Sequence, residues 1–148
     1  MKGEGGGRIG GGAFVPGEGR IYDPFTVSLH LTDICNARCV FCGEDSHHRK
    51  QDSVRTEDLL AFLEKVADSR WTTVNIHGGE PTIRPDFLVI LKRIRDLGFK
   101  RIILQTNALK LADPAFAQAV HEIGVDVFTS GFHGDTDELE ERITGVKG

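Results

Sequence analysis

Phe25-Thr26-Val27-Ser28-Leu29-His30-Leu31 alternates apolar and polar residues and is rich in β-formers, the pattern of a strand with one buried face. Directly after it comes Cys35-Asn36-Ala37-Arg38-Cys39-Val40-Phe41-Cys42, which holds all 3 cysteines of the chain. A strand that delivers three thiols at its carboxyl end is a plan the rest of the chain repeats: strand, polar loop, amphipathic helix.

After the polar stretch from Gly43 to Arg55, Thr56 caps an expected helix with Glu57 and Asp58 in its first turn and Leu59, Phe62, Leu63 and Val66 on one face. Thr72 to Ile76 reads as a second strand and ends in His77-Gly78-Gly79-Glu80-Pro81. A second helix begins near Pro85, buries Phe87, Ile90, Leu91, Ile94 and Leu97, and stops at Gly98. Arg101 to Leu104 is a third strand running into Gln105-Thr106-Asn107. Asp113 and Pro114 open a third helix with Phe116, Ala119, Val120 and Ile123 inside, closed by Gly124. Val125 to Thr129 is the fourth strand, and Asp135-Thr136-Asp137-Glu138 resembles a capping box for a fourth helix through Leu139 and Ile143.

Strands alternating with amphipathic helices imply an α/β fold with a parallel sheet, part of a barrel or an open sheet. Ligands of such sheets bind at the carboxyl ends of the strands. Each polar cluster sits at such an end: the cysteine loop, His77 to Pro81, Gln105 to Asn107, and Ser130-Gly131. Four consecutive strand ends therefore point chemistry at one face.

Composition narrows the classes. The 148 residues are 39% hydrophobic and 27% charged, ordinary for one globular domain. A net charge of -4 argues against nucleic acid as a partner, because phosphate neutralisation needs clustered cations. No apolar run approaches the roughly 20 residues of a membrane span, so neither a membrane partner nor a secretion signal is expected and the cytoplasm is the expected compartment. Met1 to Arg20 hold nine of the 18 glycines and read as a flexible leader, leaving residues 21–148 as the folded domain.

Three cysteines so closely spaced read as metal or catalytic chemistry before a disulfide framework. Cys35, Cys39 and Cys42 suit an iron-sulfur cluster with one open iron. A zinc site of three cysteines with His47 or His48 as fourth ligand is the competing reading, and inert thiols are a third.

The spacing Cys35-x-x-x-Cys39-x-Phe41-Cys42 resembles the signature of the radical S-adenosylmethionine (radical SAM) superfamily. Gly78-Gly79-Glu80-Pro81 resembles that superfamily's Gly-Gly-Glu-Pro motif, and Gln105-Thr106-Asn107 is similar to its Thr-Asn-Gly. His133-Gly134 and Ile143-Thr144-Gly145 resemble the segment after the fourth strand. The likeness runs from about Phe25 to Gly148.

The resemblance implies a partial TIM barrel holding a 4Fe-4S cluster on Cys35, Cys39 and Cys42, with S-adenosylmethionine on the open iron. Reductive cleavage of that cofactor gives a 5'-deoxyadenosyl radical that abstracts hydrogen from a small-molecule or peptide substrate. A flavodoxin or ferredoxin is the implied electron donor. Phe41 would lie against the adenine, Gly78 and Gly79 would admit the methionyl group, and Glu80, followed by Pro81, would accept from its ammonium. Thr106 and Asn107 are read as contacts of cofactor or substrate, or as groups that satisfy the backbone at a strand end. Ser130 is a further cofactor contact, one residue early against the family pattern, and His77 is read as a hydrogen-bonded core histidine. No catalytic side chain is identified apart from the cluster and cofactor site.

Two departures stand out. Ala108 occupies the place of the motif's glycine, which sets the usual left-handed geometry of that loop against the residue present. Four strands against the family's six suggest a domain truncated after its fourth strand. A non-catalytic iron-sulfur half-barrel and a zinc-binding interaction module are the rival functions.

Overall fold

The computed structural model describes residues 8–9, 12–14, 21–22, 25–52, 54–67 and 71–147. Three short strands, β1 (Arg8–Ile9), β2 (Gly12–Phe14) and β3 (Ile21–Tyr22), pair antiparallel in the order β1-β2-β3. Most of the expected leader lies outside the described residues. Its described parts form β1 and β2, and the pairing of Phe14 with Ile21 crosses the boundary expected at Arg20. Backbone pairing needs no particular side chain, so composition gives no sign of it.

The second sheet carries the alternating plan. β4 (Phe25–Thr32), β5 (Trp71–Gly78), β6 (Arg101–Gln105) and β7 (Val127–Thr129) are parallel neighbours in chain order. Between them run α1 (Thr56–Ala67), α2 (Phe87–Asp96) and α3 (Pro114–Ile123), and α4 (Asp137–Thr144) follows β7.

Alternation along the strands decides where the core lies. Val27, Leu29 and Leu31 of β4, Val74 and Ile76 of β5, and Ile102 and Leu104 of β6 are buried in one cluster with Leu59 and Leu63 of α1, the four apolar residues Phe87, Ile90, Leu91 and Ile94 of α2, and Val120 of α3. The opposite face carries Ser28, His30, Asn75, His77 and Gln105, none of them buried. Among the described residues the helices thus cover one face, as in a barrel wall whose polar side looks inward.

Most helix limits follow local chemistry. Asp113 caps α3 by accepting from the Ala115 N–H at 2.9 Å, Pro114 takes the first position, and Gly124 leaves the helix at φ 100°. Two expectations are corrected. Phe62, expected inside, is 43% exposed, because the buried line runs through Leu59 and Leu63 and position 62 falls on its flank. The fourth strand begins at Val127, not Val125: the Asp126 carboxylate takes the Ile102 N–H at 2.7 Å, so a side chain fills the first rung of the β6–β7 ladder.

Candidate functional site

The loop after β5 reaches the cysteine loop through two backbone bonds. Gly79 N–H donates to Thr32 O at 2.8 Å and Glu80 N–H to Ile34 O at 2.7 Å. Such closeness requires glycine. A Cβ on Gly78, whose φ is 136°, would lie 2.4 Å from Thr32 O, and one on Gly79 would lie 2.2 Å from Ile34 O. The pair therefore admits the start of the cysteine loop.

Glu80 is the knot behind this contact. It is 1% exposed, and its Oε1 accepts from Thr82 N at 3.0 Å, Thr82 Oγ1 at 2.6 Å and Thr106 Oγ1 at 2.7 Å. Its Oε2 accepts the Asn107 N–H at 2.6 Å. One carboxylate thus ties the loop after β5 to the loop after β6. Asn107 then turns its side-chain amide to Asn36 Oδ1 at 2.8 Å and toward Cys35 Sγ at 3.9 Å, which brings the third strand end to the cysteines. Ala108 keeps the left-handed turn despite its Cβ, at φ 65° and ψ -2°, with its N–H held by Thr106 Oγ1 at 3.0 Å.

From the other side, α4 docks on the cysteine loop. Arg38 N–H donates to Thr144 O at 2.7 Å and Val40 N–H to Ile143 O at 2.9 Å. The chain leaves α4 at Gly145, φ 68°, where a Cβ would meet Arg38 Cβ at 2.9 Å. Glu140 Oε2 accepts the N–H groups of His133 and Gly134, both at 2.7 Å, and the His133 ring meets Phe41 edge-on at 4.6 Å.

These contacts enclose an open cleft of about 390 Å³. Of the residues expected from sequence, Cys39, Phe41, Gly78, Gly79, Thr106 and Asn107 line it. Glu80 and Pro81 are buried beside it, and Cys35 and Cys42 belong to the loop that forms one wall. Ser130 is off the lining, while its neighbours Thr129 and Gly131 are on it. His133 and Glu140 are wall residues that the sequence did not single out, although His133 lies in one of its motifs.

The three cysteines are free and half-buried. Burial pushes the Cys35 thiol up, partly offset by the Ala37 N–H, and the Glu80 carboxylate adds to the rise. Burial, with the Cys42 sulfur beside it, also raises Cys39. Cys42 moves the other way: the Ser46 N–H outweighs its burial, and those of Glu44 and Asp45 help hold the thiol below its ordinary range. Among the described residues the three Sγ atoms do not gather within 4.8 Å of one another. His47 and His48, named above for a zinc site, group instead with Asp45. His77 is hydrogen-bonded, 2.8 Å from Ser28 Oγ, but it stands on the uncovered face and not in the core, one residue out of phase with buried Ile76.

A parallel sheet with helices on one face and a thiol-bearing loop beside a cleft at its carboxyl end defines an α/β protein with a candidate cofactor site at the strand ends. The chain belongs to the radical SAM superfamily, whose model it matches over residues 29–148. It is similar to the probable GTP 3',8-cyclases of Sulfurisphaera tokodaii, 30% identical over 116 residues, and Saccharolobus islandicus, 30% over 118. Those alignments take in 78% and 80% of this chain but 36% and 38% of the relatives, so the chain spans little more than a third of their length. Streptococcus suis SuiB bound to S-adenosylmethionine superposes with a TM-score of 0.66 at 20% identity, covering 86% of this chain and 29% of that one. For anSMEcpe with bound AdoMet the values are 0.65 and 21%, covering 82% and 35%. At such identities the likeness carries the fold, and the four parallel strands are part of a radical SAM-type barrel.

Proposed function

We propose that this chain holds a 4Fe-4S cluster on Cys35, Cys39 and Cys42 and S-adenosylmethionine in the adjoining cleft, as the cofactor-binding part of a radical SAM enzyme whose core begins near residue 21. The observation that carries the reading is the cleft itself, in which Cys39 and Phe41 of the first strand end face Gly78, Gly79, Thr106 and Asn107 of the next two. Its volume of about 390 Å³ lies within the range of small-molecule sites.

The donor set fits the cluster better than zinc. A zinc site would need a fourth ligand beside the three thiols, and His47 and His48, the candidates for it, group with Asp45 instead. When bound, cluster and cofactor supply reductive cleavage of the sulfonium to a 5'-deoxyadenosyl radical that takes hydrogen from substrate. The chain's own part is placement. Gly78 and Gly79 keep the wall free of side chains, Phe41 offers an apolar face for the adenine, and Asn107 directs an amide toward the cysteine loop. Glu80, with four donors on its carboxylate, holds Thr106 and Asn107 in position, and its remaining acceptor capacity on Oε2 can serve the cofactor ammonium. Ser130 would contribute through the loop it begins.

The relatives carry the name probable GTP 3',8-cyclase, and SuiB has been crystallised with a precursor peptide, so a nucleotide and a peptide are the substrate classes to test. A flavodoxin or ferredoxin would supply the electron. A cytoplasmic location is part of the proposal; no described helix is long and apolar enough to cross a membrane.

Anaerobic reconstitution with iron and sulfide, followed by an assay for 5'-deoxyadenosine with dithionite, tests the reading. It predicts about four irons per chain, a brown oxygen-sensitive protein and turnover of S-adenosylmethionine. One zinc and no iron would overturn it in favour of the zinc module. Iron without 5'-deoxyadenosine would leave a non-catalytic half-barrel.

A further inference from the structure

The polar face of the sheet carries a second group of metal-type ligands outside the cysteine cleft. His30 of β4 and His77 of β5 are direct partners in the parallel register, so their side chains leave the sheet on the same side. Their rings meet edge to face with centroids 5.4 Å apart. Glu44, two residues past the last cysteine, brings its Oε2 to 3.9 Å from His30 Nδ1. One ligand atom from each of the three lies within 4.8 Å of the other two. We infer that His30, Glu44 and His77 hold a single divalent transition-metal ion on this face.

Two imidazoles and one carboxylate are a donor set for first-row divalent metals, with coordination positions to spare. Both rings are also oriented from behind, as metal-binding histidines are. His30 Nε2 lies 3.0 Å from Asp33 Oδ1, and His77 Nε2 lies 2.8 Å from Ser28 Oγ. Donation of the His30 Nε2–H to Asp33 leaves Nδ1 as the lone-pair nitrogen of that ring, and Nδ1 is the atom that faces Glu44. A packing role explains neither partner, because no described helix packs on this face. Asn75 and Gln105, hydrogen-bonded to each other at 3.1 Å, continue the polar surface beside the site. An ion there presents its open positions to a ligand on the uncovered side of the sheet, and the class it selects is an oxygen donor such as a carboxylate, phosphate or vicinal hydroxyls. The site shares no ligand with the cysteines and stands or falls independently of the cluster.

Cobalt(II) titration of the full chain with Cys35, Cys39 and Cys42 all changed to Ser tests this, with far-UV circular dichroism to check the fold. The expected result is one cobalt per chain with visible d–d absorption, no thiolate charge-transfer band, and competition by zinc. His30→Ala and His77→Ala abolish the spectrum. Glu44→Gln, an exposed position that leaves folding intact, and Asp33→Asn each weaken binding by about 10-fold or more. His47→Ala and His48→Ala leave it unchanged. No cobalt or zinc bound by the folded chain overturns the inference, as does binding that survives His30→Ala and Glu44→Gln or is lost with His47→Ala.

Discussion

The Asn107 backbone N–H donates to Glu80 Oε2 at 2.6 Å, joining two strand ends through a carboxylate that is 1% exposed. With Thr82 N, Thr82 Oγ1 and Thr106 Oγ1 on Oε1, four donors depend on this one group. Each buried donor left unpaired costs about 1–3 kcal/mol. Glu80→Ala is therefore expected to lower unfolding stability by about 3 kcal/mol or more, and Glu80→Gln, which keeps one acceptor, by less. Urea denaturation measures both. A loss under about 1 kcal/mol in Glu80→Ala would mean that the loops are held by something else.

Gly79 marks the place where two loops cross most closely. A Cβ there would stand 2.2 Å from Ile34 O, the residue before Cys35, and the obstacle is backbone, which cannot swing aside. Gly79→Ala is expected to cost about 2 kcal/mol or more, in the range of enforced backbone strain, and to reduce iron uptake on reconstitution. Gly43→Ala is the matched control, because a Cβ added there would meet nothing within 4 Å and its φ is not in the left-handed region. Equal iron content in the two variants would remove the steric argument.

Much of this was legible in the sequence because it rests on period. Val27, Leu29 and Leu31 alternate, Phe87, Ile90, Leu91 and Ile94 follow the helical repeat, and both sets are buried as the pattern implies. Alternation also places Ser28 and His30 together on the other face. It cannot reveal that Glu44 folds back beside them, because the return path of a loop leaves no periodic trace. Glu80 shows the same limit: its motif was readable, but two of its four donors lie on Thr106 and Asn107, which only tertiary structure brings to it. Arg84 is silent in the sequence for this reason, although it is buried and donates to Leu31 O at 2.7 Å and Val54 O at 3.1 Å, joining β4 to the segment before α1.

Ala108 pays a conformational cost that glycine would not. It holds φ 65°, where a β-carbon costs about 1–2 kcal/mol. Replacing it adds backbone freedom to the unfolded chain, worth about 0.4–1 kcal/mol in the opposite sense. Ala108→Gly is expected to raise stability by about 0.5–1 kcal/mol net, seen as a higher urea midpoint at unchanged slope. An unchanged or lower midpoint would show that the bonds from Ala108 N to Thr106 Oγ1 and from Leu109 N to Asn107 Oδ1 do not compel the turn.

The cysteines should also differ in reactivity before any metal binds. Alkylation proceeds through the thiolate, so its rate follows the fraction deprotonated. Cys42 is held below its ordinary range, chiefly by the Ser46 N–H, whereas burial raises Cys35 and Cys39. In the metal-free chain near neutral pH, iodoacetamide is therefore expected to label Cys42 first. As pH rises, Cys42 becomes fully thiolate and its rate levels off while the other two continue to climb, so the preference narrows. Below the Cys42 pKa all three rates fall together by about tenfold per pH unit and the preference is constant. Peptide mass spectrometry of briefly labelled protein reads the order. Labelling of Cys35 or Cys39 ahead of Cys42 at neutral pH would show that the Glu44 to Ser46 backbone does not turn toward that sulfur in solution.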